Sequence, residues 1–516
     1  MDVPVMIGQH LFTGFDGTVM AEDFCRKLRE SKIGNIILFA RNIGTAAQVR
    51  ALCGEIQRLV LEATGQPALI AIDQEGGVVS RLGADCAVIP SAMAVSATGD
   101  PELAYRAGLL TGSELAAMGI NFNLAPVLDI NSNPDNPVIG ARSYGSSPGQ
   151  VIPPALGMAH GLREAGVLAC AKHFPGHGDT AVDSHVGLPK VDKTLEQLLD
   201  CELKPFEAAI REGIPAVMSS HILFPRLEKK NLPATMSRSI MRDLLRGKLG
   251  FEGLVVSDCM MMRAIADHYG TLDGILAAIR AGVDMVFVSH SIDLAMEASS
   301  RLQQEWQAGR LDHAELEAST ARILRAKAAL MKTPAPPIDM VGSEEHRAIV
   351  REMYERSLTL VSQPRGGIPA LGDRPLFVGC RHFAATQANS PEAGGLDFAE
   401  MLQARFGGTA LHMSPDPDRE EVSAIARQAA GHSSVVIGTV NAHLRQGQLE
   451  ALRALARAHE KVICAALHNP YDLSGLPPQV TGIAAYAYHR ESVRALIRLL
   501  AGEIKARGTL PVQLKG

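Results

Sequence analysis

Val167-Leu-Ala-Cys-Ala171 runs straight into Lys172-His-Phe-Pro-Gly-His-Gly-Asp-Thr180, and Asp183-Ser-His185 comes two residues later. The apolar run has no polar alternation, so it reads as a strand buried on both faces, the kind that parallel sheets use. The segment after it is rich in Gly and Pro and too polar to bury, which makes it a loop. Lys172 and His173 therefore sit where the strand ends. A loop loaded with His, Asp and Lys at a strand's carboxyl end is where α/β proteins keep their chemistry.

The same pattern repeats outward from this point. Apolar runs at Val5–Phe12, Asn35–Ala40, Ala68–Asp73, Asn121–Asp129, Val167–Phe174, Ala216–His221, Gly253–Asp258 and Asp284–Ser289 are separated by amphipathic stretches. Those stretches include Ala46–Ala63, Glu102–Met118, Leu195–Arg211 and Arg238–Leu249. Eight strands with crossovers between them predict a (β/α)8 TIM-like barrel over residues 1–332, with an open doubly wound sheet as the alternative. Thr333-Pro-Ala-Pro-Pro-Ile338 cannot continue a helix, so residues 333–342 read as a linker. Beyond it, a helix at Glu344–Ser357 precedes strands at Pro375–Gly379, Gly408–Met413, Ser433–Thr439, Lys461–Leu467 and Gly482–Tyr488. Helical patterns at Arg419–Ala430 and Leu444–Ala458 lie between them. This predicts a smaller three-layer α/β sandwich with a parallel sheet over residues 343–516.

Composition narrows the function classes. A net charge of −5 over 516 residues, with no Lys/Arg-rich run, argues against nucleic acid as a partner. No apolar segment reaches the roughly 18 residues that span a bilayer, and the first residues lack a secretory signal pattern. The eight cysteines are scattered without a Cys-x-x-Cys pair, which fits a reducing compartment. A soluble, cytoplasmic protein without membrane partners is expected.

Several barrel strands finish in a charged or imidazole residue: Asp73, Asp129, Lys172–His173, His221 and Asp258. A barrel gathers those ends on one rim. Asp258 arrives on Gly-Leu-Val-Val-Ser and precedes Cys-Met-Met-Met, without a polar neighbour to neutralise it. It is either an N-cap for the next helix or a nucleophile or electrostatic stabiliser. Asp183 lies two positions before His185, close enough to fix the imidazole tautomer and raise its basicity. A zinc site built from His173, His177, His185, Asp179 and Asp183 is the rival reading, but its spacings are irregular. Asp73 and Arg81 flank a paired-glycine turn, and Arg142 lies in a Pro/Asn/Gly-rich loop. Carboxylates and guanidiniums around a cleft poor in aromatics suit a hydroxyl-rich ligand, a sugar rather than a planar cofactor.

These pieces resemble the β-N-acetylglucosaminidases of glycoside hydrolase family 3, the NagZ type. The resemblance runs through Ile72-Asp-Gln-Glu-Gly-Gly77 with Arg81, Asn123-Leu-Ala-Pro-Val-Leu-Asp129, Val138-Ile-Gly-Ala-Arg142, Lys172–Asp179, Asp183-Ser-His185, Met218-Ser-Ser-His221 and Val256-Ser-Asp258. It continues in Ser357–Val361, Asn469–Leu473 and Gly508–Val512, and so covers nearly the full length. The resemblance implies Asp258 as nucleophile and His185 as acid/base with Asp183 as its orienting partner. It also implies Asp73, Arg81, Arg142, Lys172, His173 and His221 as sugar-binding residues. Neither metal nor cofactor is expected, and the implied substrate is a terminal β-linked GlcNAc of muropeptides. Phosphorolysis, dual action on β-glucosides and a catalytically silent sugar-binding protein stand as the alternatives.

Overall fold

The computed structural model describes residues 1–181, 187–330, 334–381, 383 and 396–514. Eight parallel strands close into a barrel: β1 (Leu11–Thr13), β2 (Asn35–Leu38), β3 (Leu69–Ile72), β4 (Phe122–Asn123), β5 (Leu168–Phe174), β6 (Ala216–Ser219), β7 (Leu254–Cys259) and β8 (Met285–Val288). Each neighbouring pair is parallel, and β8 returns to β1 through Phe12↔Phe287.

Side chains alternate between two cores, as the pleat requires. Leu69, Ala71, Leu168, Cys170, Ala216, Met218, Leu254, Val256, Met285 and Phe287 fill the barrel interior. Ile70, Ile72, Ala169, Ala171, Val217, Val255, Val286 and Val288 pack outward against the helices. Within the interior, Phe12 stacks on Phe287 at 4.1 Å between ring centroids.

Three expected elements differ. Val5–Phe12 is not one strand: a helix occupies Val3–Gln9, with proline in its first turn, and only Leu11–Thr13 is extended. Proline's fixed φ suits that first turn. The expected strand Asn121–Asp129 shortens to Phe122–Asn123, because Pro126 has no N–H to donate to a ladder. The stretch Leu195–Arg211 is two helices, Leu195–Asp200 and Lys204–Arg211, the second with proline in its first turn.

The helix Glu344–Ser357 forms as expected and leads into a six-stranded sheet. Its strands are β9 (Thr359–Ser362), β10 (Pro375–Gly379), β11 (Thr409–His412), β12 (Ser434–Thr439), β13 (Val462–Ala466) and β14 (Thr481–Ala484), in the order β11-β10-β12-β13-β14-β9. The sheet is mixed rather than parallel, because β9 runs antiparallel to β14. An edge strand of four residues, two of them polar, gives little signal in sequence.

The two units share their packing. Met93, Ala94 and Ala97 of the barrel-side helix Ala92–Ala97 belong to one continuous core with Leu376, Val435 and Val462 of the second sheet. Buried Glu114 accepts from Ala87 N (3.0 Å), Gly342 N (2.8 Å) and His346 Nδ1 (2.8 Å), which pins the connection to the barrel. Residues near 510 return to the barrel, with Thr509 N donating to Ala97 O (2.8 Å) and Ser146 N to Pro511 O (3.1 Å).

At the opposite end of the barrel from the strand termini, Lys327 is fully buried and donates to Gln9 Oε1 (2.7 Å) and Gly34 O (3.1 Å). Burial pulls its ammonium down to about 7. An unfolded lysine stays protonated to about pH 10.4, so between those limits unfolding takes up a proton and stability rises with pH. The wild type should therefore gain up to ~4 kcal/mol from this group between pH 7 and 10, and Lys327→Met should lack that slope. Chemical denaturation of both proteins across the window checks it; parallel slopes would contradict the assignment.

Candidate active site

Strand parity decides which residues face the barrel mouth. Leu69 and Ala71 point inward, so Asp73 does too; Leu168 and Cys170 point inward, as does Lys172; Leu254 and Val256 carry the series to Asp258. All three line one cavity of about 580 Å³ together with Glu75, Arg81, Arg142, His173 and His177. That size suits a small ligand, for which cavities run roughly 300–1,000 Å³. Its described lining comes entirely from the barrel, between Ile37 and His290.

His221 does not line this cavity. It lies two residues beyond the end of β6, where the chain has left the strand. Its ring contacts Thr235 Oγ1 (3.0 Å) and Cys259 O (3.1 Å), bracing the backbone that follows Asp258. Asp183 and His185 lie outside the described residues. Their N-terminal flank is anchored: Asp179 meets Lys193 Nζ at 3.0 Å, and the Thr180 hydroxyl donates to His177 O at 3.0 Å.

At the cavity floor four charges interlock. Lys172 Nζ lies 2.7 Å from Asp73 Oδ1 and 2.7 Å from Glu75 Oε1. Arg142 grips Glu75 with two bonds, Nη2 to Oε1 and Nε to Oε2, both 2.8 Å. Only Asp73 is appreciably exposed, at 21 % of its side chain, against 2 % for Lys172 and 5 % for Glu75. Burial alone would raise the Glu75 carboxyl, but Arg142 and Lys172 overcome it and hold the group far below the ordinary carboxylate range. Burial would likewise lower Lys172, yet Asp73 and Glu75 push it up. Two cations and two anions cancel, so the floor is neutral and fixed while presenting an ammonium and the Asp73 carboxylate to the cavity.

Asp129, fully buried, accepts the His173 Nδ1 hydrogen (2.6 Å) and the backbone N–H groups of His173 (3.2 Å) and His177 (2.6 Å). Burial would raise it, but His173 and His177 keep it below the usual range. An ionised carboxylate only accepts, so Nδ1 of His173 carries the hydrogen and the ring orientation is set. Burial, then the neighbouring His173, lowers His177 to about 4, so that ring is neutral at pH 7. Thr180 Oγ1 gives its one hydrogen to His177 O, and so accepts from His177 Nδ1 at 2.8 Å. At the rim, Arg41 lies over the Phe39 ring at 4.6 Å, and Phe39 and His290 approach to 4.9 Å.

Asp258 is half-buried at the end of β7, and its Oδ1 accepts from Cys259 N at 2.6 Å. Glu75 is the site residue that strand-end reasoning misses, although it sits inside the Ile72–Gly77 motif. Its signal lies in charge balance. Lys172 and Arg142 are two cations entering one buried floor, and Asp73 neutralises only one of them. The loop that brings Glu75 back beneath the strand depends on Gly77, at φ +55, where a Cβ would lie 2.7 Å from Ser91.

The glycosyl hydrolase family 3 N-terminal domain matches residues 7–326. Beta-hexosaminidase A of Pseudoalteromonas piscicida is 30 % identical over 556 residues, covering 96 % of this chain and 91 % of that protein. A glycoside hydrolase family 3 beta-N-acetylglucosaminidase from Paenibacillus sp. str. FPU-7 superposes with a TM-score of 0.91 at 37 % identity, covering 100 % of this chain and 99 % of that one. The beta-glucoside phosphorylase BglX reaches a TM-score of 0.83 at 25 % identity, covering 99 % and 94 %.

Proposed function

The chain belongs to glycosyl hydrolase family 3, and on that premise we propose that it is a retaining exo-β-N-acetylglucosaminidase acting on terminal, non-reducing β-linked GlcNAc. The observation that carries this reading is the shared cavity. A half-buried strand-end carboxylate, Asp258, opens onto the same space as the neutral Asp73–Lys172–Glu75–Arg142 floor and the oriented His173. Such a floor can bind sugar hydroxyls from both sides, with Asp73 accepting and Lys172 donating.

In the proposed reaction Asp258 attacks the anomeric carbon while His185, oriented by Asp183, protonates the departing glycosidic oxygen. The same imidazole then takes a proton from water, which displaces Asp258 and releases GlcNAc with its configuration retained. Arg81 and Arg142 are assigned to the sugar-binding set, Arg142 acting through Glu75. His221 is assigned to it as a brace for the backbone after Asp258. The scheme uses neither metal nor cofactor. The barrel, residues 1–332, supplies the chemistry, and the unit from 343 onward supplies no catalytic group; among the described residues the cavity is lined by the barrel alone, which supports this.

The substrate we assign is a cell-wall muropeptide recovered in the cytoplasm. All eight cysteines are free thiols, in keeping with a reducing compartment, and no described helix is long and apolar enough to cross a membrane.

The test compares p-nitrophenyl β-GlcNAc, p-nitrophenyl β-glucoside and an alkyl β-GlcNAc. His185→Ala should lose about 10²–10³-fold on the alkyl glycoside and far less on the aryl one, because only the poor leaving group needs a proton. Equal losses on both would remove the acid/base assignment. The likeness to a phosphorylase supports a second reading, in which phosphate replaces water as acceptor. Formation of GlcNAc 1-phosphate in phosphate buffer separates the two.

A further inference from the structure

A second cavity, larger than the catalytic one at about 670 Å³, lies between the loop after β3 and the helices Glu344–Ser357 and Arg490–Leu500. We propose that it binds a small organic anion, a phosphate- or carboxylate-bearing molecule with an apolar body, and that its occupancy alters the catalytic cavity.

Five arginines line it (347, 351, 490, 494 and 498) against two glutamates (355 and 491). Arg347 donates to the backbone carbonyls of Gly342 (2.8 Å), Ala84 (3.4 Å) and Asp85 (2.9 Å), so no carboxylate in those bonds cancels its charge. Arg351 pairs with exposed Glu344, Arg494 with Glu491, and Arg498 with both Glu355 and Glu503. The guanidiniums are exposed in all three, and pairs open to solvent on one side are worth little and yield to a better-placed anion. Guanidinium forks match the paired oxygens of phosphates and carboxylates. The remaining wall is apolar, with Leu82, Val88, Val350 and Ala487 among its residues, and this favours a ligand with a body over a bare ion.

The two cavities share residues 73–83 as a common wall. Asp73, Glu75, Val79 and Arg81 face the catalytic side, whereas Gly77, Val78, Ser80 and Leu82 face the interdomain side. Gln74 ties the wall together: its amide bonds Ser80 Oγ (3.0 Å), its Oε1 accepts from Arg81 N (2.9 Å), and its backbone N donates to Asn123 Oδ1 (3.0 Å). A ligand that orders one face of so short a segment must act on the other, which is the physical content of a coupling free energy.

The binding arm of the test is independent of the proposed reaction; the coupling arm rests on it. Titration calorimetry with glucose 6-phosphate, N-acetyl-Ala-Ala, inorganic phosphate and neutral GlcNAc is run on the wild type and on Arg351→Gln/Arg494→Gln. Both arginines are exposed, so the variant should fold and keep its basal turnover. At least one organic anion should bind the wild type one-to-one, about tenfold more weakly to the variant, while GlcNAc binds both alike. The phosphate and peptide arms tell which head group is preferred. Saturating anion should change kcat or KM on p-nitrophenyl β-GlcNAc at least about twofold in the wild type only. Absence of organic-anion binding at about 10 mM, undiminished binding to the variant, or inorganic phosphate binding as tightly as the organic anions would each overturn the site. Binding without a kinetic effect would overturn the coupling alone.

Discussion

Asp258→Ala is expected to lower kcat on p-nitrophenyl β-GlcNAc by about 10⁴-fold or more, roughly 5 kcal/mol of transition-state stabilisation. Without the carboxylate no glycosyl-enzyme forms, and water must attack an oxocarbenium-like centre that nothing opposite the leaving group stabilises. The fold should be unaffected, because the side chain is half-buried and its Oδ1 accepts from the N–H of its own neighbour, Cys259. Azide should partly restore turnover, since a small anion fits the space left by the carboxylate. The product would then be the α-glycosyl azide, of inverted configuration, identifiable by its anomeric proton coupling. A well-folded Asp258→Ala protein keeping more than a few per cent of its activity would displace Asp258 from the nucleophile's role.

Glu75→Gln should damage both stability and catalysis. The wild-type floor sums to zero charge, with Asp73 and Glu75 against Lys172 and Arg142; the substitution leaves one buried cation in excess. Removing one partner from a buried ionic group costs about 3–5 kcal/mol, because the charge left behind stays desolvated. Glu75 is held well below its unfolded pKa, so its contribution is present above about pH 4.3 and is lost as the medium becomes more acid. The deficit of the variant, measured by chemical denaturation, should therefore be full at pH 7 and shrink below about pH 4. Adding Arg142→Met to Glu75→Gln restores neutrality and should recover much of the stability but not the sugar affinity. If the double variant were no more stable than the single one, charge balance would not be what holds the floor together.

Much of this site is legible in the sequence because a barrel strand obeys a two-residue rhythm. The inward series Leu69, Ala71, Asp73 and Leu254, Val256, Asp258 can be read from spacing once the strands are recognised. Glu75 escapes because its role depends on a fold-back of the loop after β3 and on a guanidinium 67 residues further on. No local pattern encodes such a meeting; only the balance of buried charge does. Asp129 is recognisable as a strand end, but its work of orienting His173 comes from tertiary geometry. The antiparallel β9 escapes because a short edge strand draws its stability from β14 rather than from its own residues.

The helix Ala92–Ala97 lies before the fourth barrel strand in sequence, yet its side chains belong to the same continuous core as the second sheet. The seam along which this architecture can be cut and recombined is therefore not the proline-rich connection near residue 335. A graft that carries the sheet elsewhere must take that helix, or a replacement for it, and a stand-alone barrel must reshape the same stretch to face water. Lineages that gained or lost the appended unit should record the event as compensating changes at positions 92–97, far upstream of the join.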